Sequence, residues 1–503
     1  MCCETAGDRL KPHDPHPDWR GFGERRHVAQ SSQGEKTGSR TAIGSPEIQR
    51  TQSAGALIVP GRRSTLPSGG FGRMDPIAMH ARARRLSQPL AFAAVAAVIA
   101  VVLFASATPS ALYGLYEARW HFSTPVLTLV YSTYAVGVLA SLLLIGGLSD
   151  HAGRRPVLLG SLAVLLAAMG VFLVARSVAW LFAARALQGL ATGAALGAGG
   201  AALLDLHPSG DTRHASLVNG VASASGIGAG ALISGAIVEF LPDPRVLPFL
   251  LVAIFIVLLI LAISILPEPV AYRRPATWRP QRPSVPLPTR GAFVLAALGV
   301  LASWSLAGLY LALGPQLTSV LMHSHGQFAG GLAVCLLSAP SAVAQLVGRN
   351  LSNRTLTSVG ASLLALGMVL TAASLSVSSA IFFLSSAAIA GVGFGLAFMG
   401  ALRHLSSAIP DGCRGEVMSA FYVVAYVAIS VPAVAAGFAA PYLGLTDTFQ
   451  IFAGVVVMLA VAVVVGGLRI ESPEHSQSPH TVAGPNSTQE QSQSELTHSS
   501  ICT

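Results

Sequence analysis

The chain has 503 residues, 52% of them hydrophobic and only 11% charged, with 51 glycines. Soluble domains carry roughly 25% charged residues. The few charges here cluster between long apolar runs, which argues against a soluble protein with a large core and for a polytopic membrane protein. The formal net charge of +9 comes from the N-terminal tail and from loops. No basic stripe interleaved with aromatics occurs, which argues against nucleic-acid binding.

Residues 1–86 are rich in Ser, Gly, Pro, Arg and Asp and have no apolar periodicity. Such a segment cannot bury enough surface to offset chain entropy, so a disordered tail is expected. It has no apolar core of a signal peptide. Met74 and Met79 stand just before Arg82, Arg84 and Arg85, directly upstream of the first apolar run. Two readings stay open: a functional tail, or a natural start at Met74 or Met79. The cysteines, Cys2, Cys3, Cys335, Cys413 and Cys502, show neither metal-ligand nor disulfide-framework spacing. Cys335 reads as a small packing residue, and no lipidation motif surrounds Cys2 and Cys3.

Six apolar runs follow, at about 89–113, 124–145, 156–175, 179–204, 215–240 and 247–266. A polar segment rich in Pro and Arg covers 267–290. Six more runs lie at about 291–313, 328–347, 356–375, 380–401, 416–439 and 448–468. Each has roughly the 20 residues a helix needs to cross a bilayer. The predicted organisation is an all-α integral membrane protein with a six-helix bundle at 87–266, a linker at 267–290, a second bundle at 291–469 and a disordered tail at 470–503. Arg154, Arg155, Arg213, Arg349, Arg354 and Arg403 fall in loops of one side, with the arginines of the linker, while Arg119, Arg176 and Arg245 fall on the other. The positive-inside bias then places both termini in the cytoplasm. Leu351-Ser352-Asn353-Arg354 after the eighth run echoes Leu148-Ser149-Asp150-His151 after the second, a faint internal repeat.

The loop after the second run reads Gly146-Gly147-Leu148-Ser149-Asp150-His151-Ala152-Gly153-Arg154-Arg155. Gly146 and Gly153 suit a tight turn and close helix approach. Asp150 ends a helix whose own dipole favours cations there, so it needs another partner. This loop resembles the signature loop of the major facilitator superfamily of secondary transporters, with His151 in place of the usual basic residue. The resemblance implies two six-helix bundles around a midplane site, no enzymatic activity and no cofactor. It also implies a conformational latch: Asp150 against the start of the eleventh helix near Glu416, and Arg154 and Arg155 paired with Asp205. The bland alternative makes the two arginines topogenic charges only.

Arg185 lies inside the fourth run, where an arginine costs ~2.5–3.5 kcal/mol and is a functional candidate by default. Arg185, Gln188 and Gly189 match the family's fourth-helix pattern Arg-x-x-Gln-Gly, in which the arginine is associated with proton coupling. Arginine does not deprotonate, so it would tune an acid or bind an anionic group; a structural arginine bonded to first-helix backbone, or one snorkelling outward, is the alternative. In the fifth run, Gly226, Gly230 and Gly235 resemble the family's antiporter motif, with Ala231 replacing its proline and Ser234 a glycine. A generic packing face of small residues fits as well. Candidate cavity residues are Tyr131, Tyr134, Asn219, Trp304, Tyr310, Gln316, Gln345, Tyr422 and Tyr426, against the alternative of an interfacial aromatic belt. Pro340 and Pro432 are expected to kink their helices.

Glu117, Asp205, Glu239 and Glu416 all lie near run ends, and Glu239 and Asp205 are the acids left to carry a coupling proton. No phosphate loop, hydrolytic triad or metal-ligand set is visible. Three functions remain: a proton-coupled exporter of drug-like amphipathic compounds, a uniporter or symporter for a neutral solute such as a sugar, and a receptor or scaffold that keeps the fold without transport. A latch is of no use to a static protein, which counts against the third. The expected partners are a small-molecule substrate, protons and the lipid bilayer of the plasma membrane, with the chain a monomer.

Overall fold

The computed structural model describes residues 87–145, 148–207, 211–266, 268, 283–322, 326–410 and 414–470, without the side chains of 150, 414 and 468–470. All of these fall in one compact unit, Arg73–Thr503. Both predicted tails, most of the linker, Gly146 and the side chain of Asp150 lie outside the described residues.

In hydrocarbon every backbone N–H and C=O must be satisfied within the segment, so apolar runs of this length form helices. Twelve helices are long and apolar enough to cross a membrane. They are α1 (Gln88–Trp120), α2 (Thr124–Ile145), α3 (Arg154–Leu173), α4 (Val178–Leu206), α5 (Thr212–Phe240), α6 (Leu247–Ser264), α7 (Leu287–Ala312), α8 (Gln327–Asn350), α9 (Asn353–Ser376), α10 (Ala380–Ala408), α11 (Gly415–Leu443) and α12 (Leu445–Gly467). No strand occurs among the described residues.

Several boundaries differ from the expected ones. α1 continues past 113 because the chain tightens into a 3-10 turn at Thr108–Leu112 and then resumes as helix Tyr113–Trp120. That extension brings Glu117 into the first span. α4 runs on through Asp205, and residues 287–290 belong to the seventh helix rather than the linker. Where polar residues flank a span, side chains take over the orphan donors of the first turn. Asp211 caps α5 by accepting from the N–H groups of Arg213 and His214, and those two bonds hold its carboxyl below the usual carboxylate range. Ser352 and Ser379 cap α9 and α10 in the same way. Pro340 lies inside α8 and Pro432 inside α11, and both helices remain continuous.

The packing repeats. In the first half α4 packs on α2 and α3, α1 on α5, and α3 on α6. In the second half α10 packs on α8 and α9, α7 on α11, and α9 on α12. The two bundles meet along two seams, α5 against α8 and α2 against α11. One end of these seams carries the loops at 148–153 and 351–352, here the loop end; the other is the far end.

Candidate functional site

The centre of the molecule is built on a defect in α1. Pro109 has no N–H, so the carbonyl of Ala105, four residues back, loses its usual helical partner. The Gln188 side chain of α4 supplies one, donating from Nε2 to the Ala105 carbonyl at 2.7 Å. Arg185, one turn away on α4 and fully buried, donates from Nη1 to the Ser106 carbonyl at 2.8 Å and to Gln188 Oε1 at 2.7 Å. Its Nε donates to the Tyr113 hydroxyl at 2.8 Å, and Nη2 bonds the same oxygen. The guanidinium also lies 5.3 Å from the Tyr113 ring centre and 5.5 Å from that of Tyr134. Sequence reasoning singled out Arg185 and Gln188 but missed Pro109 and Tyr113; the Thr108-Pro109 pair inside an apolar run was the available signal.

Around this core the two halves bring aromatic side chains together. Tyr131 lies within Coulombic range of Arg185, Tyr113 and Tyr134, and Tyr426 of α11 within range of Tyr131, Tyr134 and Tyr422. Trp304 of α7 meets Tyr426 edge-on at 5.3 Å and Phe398 at 5.6 Å. Tyr131 and Tyr426 are buried at 2% and 6% exposure, unlike members of an interfacial belt. The Tyr131 hydroxyl and the Trp304 indole nitrogen are buried without a hydrogen-bond partner among the described residues.

The loop-end network holds α3, α4 and α6 together. Arg154 Nε meets Asp205 Oδ2 at 3.0 Å, and its Nη1 donates to Ser149 Oγ at 2.6 Å. The Glu268 carboxylate accepts from the backbone N–H of Arg154 at 2.7 Å and of Arg155 at 3.2 Å. It thus sits on the N-terminal turn of α3, where donors are orphaned and the dipole favours an anion. The Arg155 side chain bonds the Ser264 carbonyl at the end of α6. Gly153 has φ +98°, and a Cβ there would lie 2.9 Å from Glu268 Oε2, so both backbone and space require glycine. Glu268 was not anticipated, because a lone acid between prolines reads as loop. The latch partner proposed for Asp150 involves a side chain outside the described residues. Glu416 is in the first turn of α11, with Oε2 buried and unpartnered among the described residues.

The remaining predicted residues are distributed rather than gathered. Gly189 packs against the Tyr134 carbonyl of α2, Gly226 and Gly230 against the Ala100 and Phe104 carbonyls of α1, and Gly235 against Gln327 at the start of α8. Asn219 and Gln345 lie on the α5–α8 seam, where Gln345 Oε1 abuts Gly220 and Nε2 reaches Ser341 Oγ at 3.4 Å. Tyr310 is fully buried inside the second bundle, bonded to Thr371 at 3.3 Å and stacked on Phe383 at 5.5 Å. Gln316 is at the far end, donating to Glu117 Oε2 at 2.5 Å across the two halves. Both line a far-end cavity of about 500 Å³ with Ser123, Thr124 and Ser319. Glu239 also bridges the halves there, accepting from the Phe328 N–H at 2.7 Å on the first turn of α8.

Twelve spanning helices in two matched six-helix bundles, with a buried arginine inside the first, define a polytopic transporter fold. Residues 90–433 match the family model of the Major Facilitator Superfamily, more than half of the chain. The protein belongs to that superfamily of membrane transporters. It is similar in fold to the crystal structure of the human organic anion transporter MFSD10 (TETRAN), with 18% identity and a TM-score of 0.54, over 75% of this chain and 100% of that chain. No curated protein matches the sequence.

Proposed function

We propose that this transporter exports amphipathic, drug-like organic molecules from the cytoplasm across the plasma membrane, as a monomer and in exchange for protons. The observation that carries the reading is the central cluster, in which Tyr131 and Tyr134 from one half face Tyr426 from the other beside Arg185, with Trp304 edge-on to Tyr426. A largely apolar, aromatic pocket with a few fixed polar groups suits amphipathic ligands. The positive-inside bias supports a cytoplasmic loop end with both termini inside, and the glycine face of α5 resembles that of proton-coupled exporters. In this scheme the Arg154–Asp205–Glu268 network keeps the first bundle rigid while the bundles rock about the centre. Asp150 latches the cytoplasmic side against the start of α11.

A second reading, facilitated diffusion or symport of a neutral solute, is favoured by the placement of the acids. Among the described residues, Glu117, Asp205, Glu239 and Glu416 all lie at helix ends. Everted membrane vesicles holding a lumenal pH dye discriminate between the two. Addition of a panel of fluorescent amphipathic compounds is expected to raise lumenal pH as they accumulate, and Asp150→Asn to slow both while membrane insertion is unchanged. Equilibration without proton movement selects facilitated diffusion, a fall in lumenal pH as solute enters selects symport, and no entry of any compound removes export.

A further inference from the structure

We infer that the central site takes an organic anion, its acid group held by Arg185 and its aromatic body lying against Tyr134, Tyr426 and Trp304. The inference rests on reading the centre as the substrate site and adds the sign of the substrate's charge. It follows from the balance of donors and acceptors. A guanidinium carries five N–H donors and no acceptor. Arg185 uses four of them, on Ser106, Gln188 and twice on Tyr113, leaving one Nη2 hydrogen without an acceptor among the described residues. The Tyr113 oxygen receives two of these bonds, and its own proton meets no acceptor among the described residues. The Tyr131 hydroxyl, in a side chain 2% exposed, is a third donor without a partner among the described residues.

All the acceptors that Arg185 does engage are neutral: a phenol, an amide and a backbone carbonyl. The described carboxylates of the spans, Glu117, Asp205, Glu239, Glu416 and Asp447, all lie within about one turn of a span end, and none of them bonds Arg185. Intramembrane charges are ordinarily paired, and an unpaired guanidinium surrounded by spare donors is the complement of an oxyanion. A cationic ligand would meet repulsion from Arg185 and would waste every donor. A carboxylate, sulfonate or phosphate monoester would satisfy all three. The unpartnered Trp304 N–H, beside Tyr426, is left for an ether or carbonyl on the body of the ligand.

The test uses the full-length protein in detergent and three probes sharing one aromatic body: 1-pyrenebutyrate, 1-pyrenebutanol and pyrenebutyltrimethylammonium. Pyrenebutyrate is expected to bind at least roughly tenfold more tightly than the other two. Tyr131→Phe keeps the ring and removes the hydroxyl, and should reduce that preference by about tenfold. Arg185→Lys, which keeps the charge but loses the fork, should reduce it as well. Equal affinity for the three probes, tightest binding of the ammonium, or no butyrate binding by monodisperse wild-type protein overturns the inference. So does a preference unchanged in Tyr131→Phe. The vesicle experiment fails separately: anion preference without proton movement removes proton exchange and keeps the anion site. Proton-coupled export of cations removes the anion site and keeps the exporter.

Discussion

In the loop between α2 and α3, two acids receive the arginine-rich turn: Asp205 takes the Arg154 side chain, and Glu268 takes the backbone N–H groups of Arg154 and Arg155. At the corresponding turn between α8 and α9, two arginines meet on one backbone carbonyl. Arg213 of α5 and Arg403 of α10, the latter at 3.2 Å, both donate to the carbonyl of Arg349, and the turn itself is closed by the Ser352 cap. Ser149, Asp205, Ser264 and Glu268, which hold Arg154 and Arg155, belong to the first bundle, whereas Arg213 reaches the carbonyl of Arg349 from the opposite bundle. Through these arginines the first copy of the repeat braces its own half, and the second also touches across the seam.

That contrast can be broken by substitution. The largest effect is expected for Gly153→Ala, which forces a side chain into a positive φ against the Glu268 carboxylate. A cost of about 3 kcal/mol should appear as a lower melting temperature in detergent, with transport lost. Glu268→Gln should follow at about 2 kcal/mol, because it removes the charge and replaces one of the two accepting oxygens with an NH2 that faces a backbone N–H. In the second loop, Ser352→Ala removes a helix cap and should cost about 1 kcal/mol. If it costs as much as Glu268→Gln, the two loops are anchored equally and the contrast falls. The smallest effect is expected for the Arg154–Asp205 pair, whose side chains are 12% and 31% exposed. A double-mutant cycle with Arg154→Gln and Asp205→Asn should give about 0.5 kcal/mol of coupling, declining as salt is raised.

The span count and the two-bundle arrangement were legible because a run of about 20 apolar residues has few other fates. Arg185 was legible for the opposite reason, as a charge where none belongs. What could not be read was helix rotation. Tyr310 and Tyr426 are the same residue type in similarly apolar helices, yet one is locked inside the second bundle and the other faces the first. Lipid and bundle interior are both apolar, so the polar–apolar asymmetry that orients a helix in a soluble protein is missing here. Glu117 and Gln316 were separated by nearly 200 positions with nothing in either neighbourhood to join them, and only the fold made them partners. Glu268 was hidden by its prolines, since its role depends on where the start of α3 comes to rest.

α5, which has Ala231 where the resembling motif has a proline, is a single helix of 29 residues. At 1.5 Å per residue it is a rod of about 43 Å, and a tilt of about 10° about its middle shifts each tip by about 4 Å in opposite directions. Both tips hold the other bundle by a hydrogen bond, Arg213 to the Arg349 carbonyl at one and Glu239 to the Phe328 N–H at the other. Neither bond survives a displacement of that size. A hinged helix could let one mouth open while the other slackened; a stiff one works as a seesaw, so lifting one tip presses the other down.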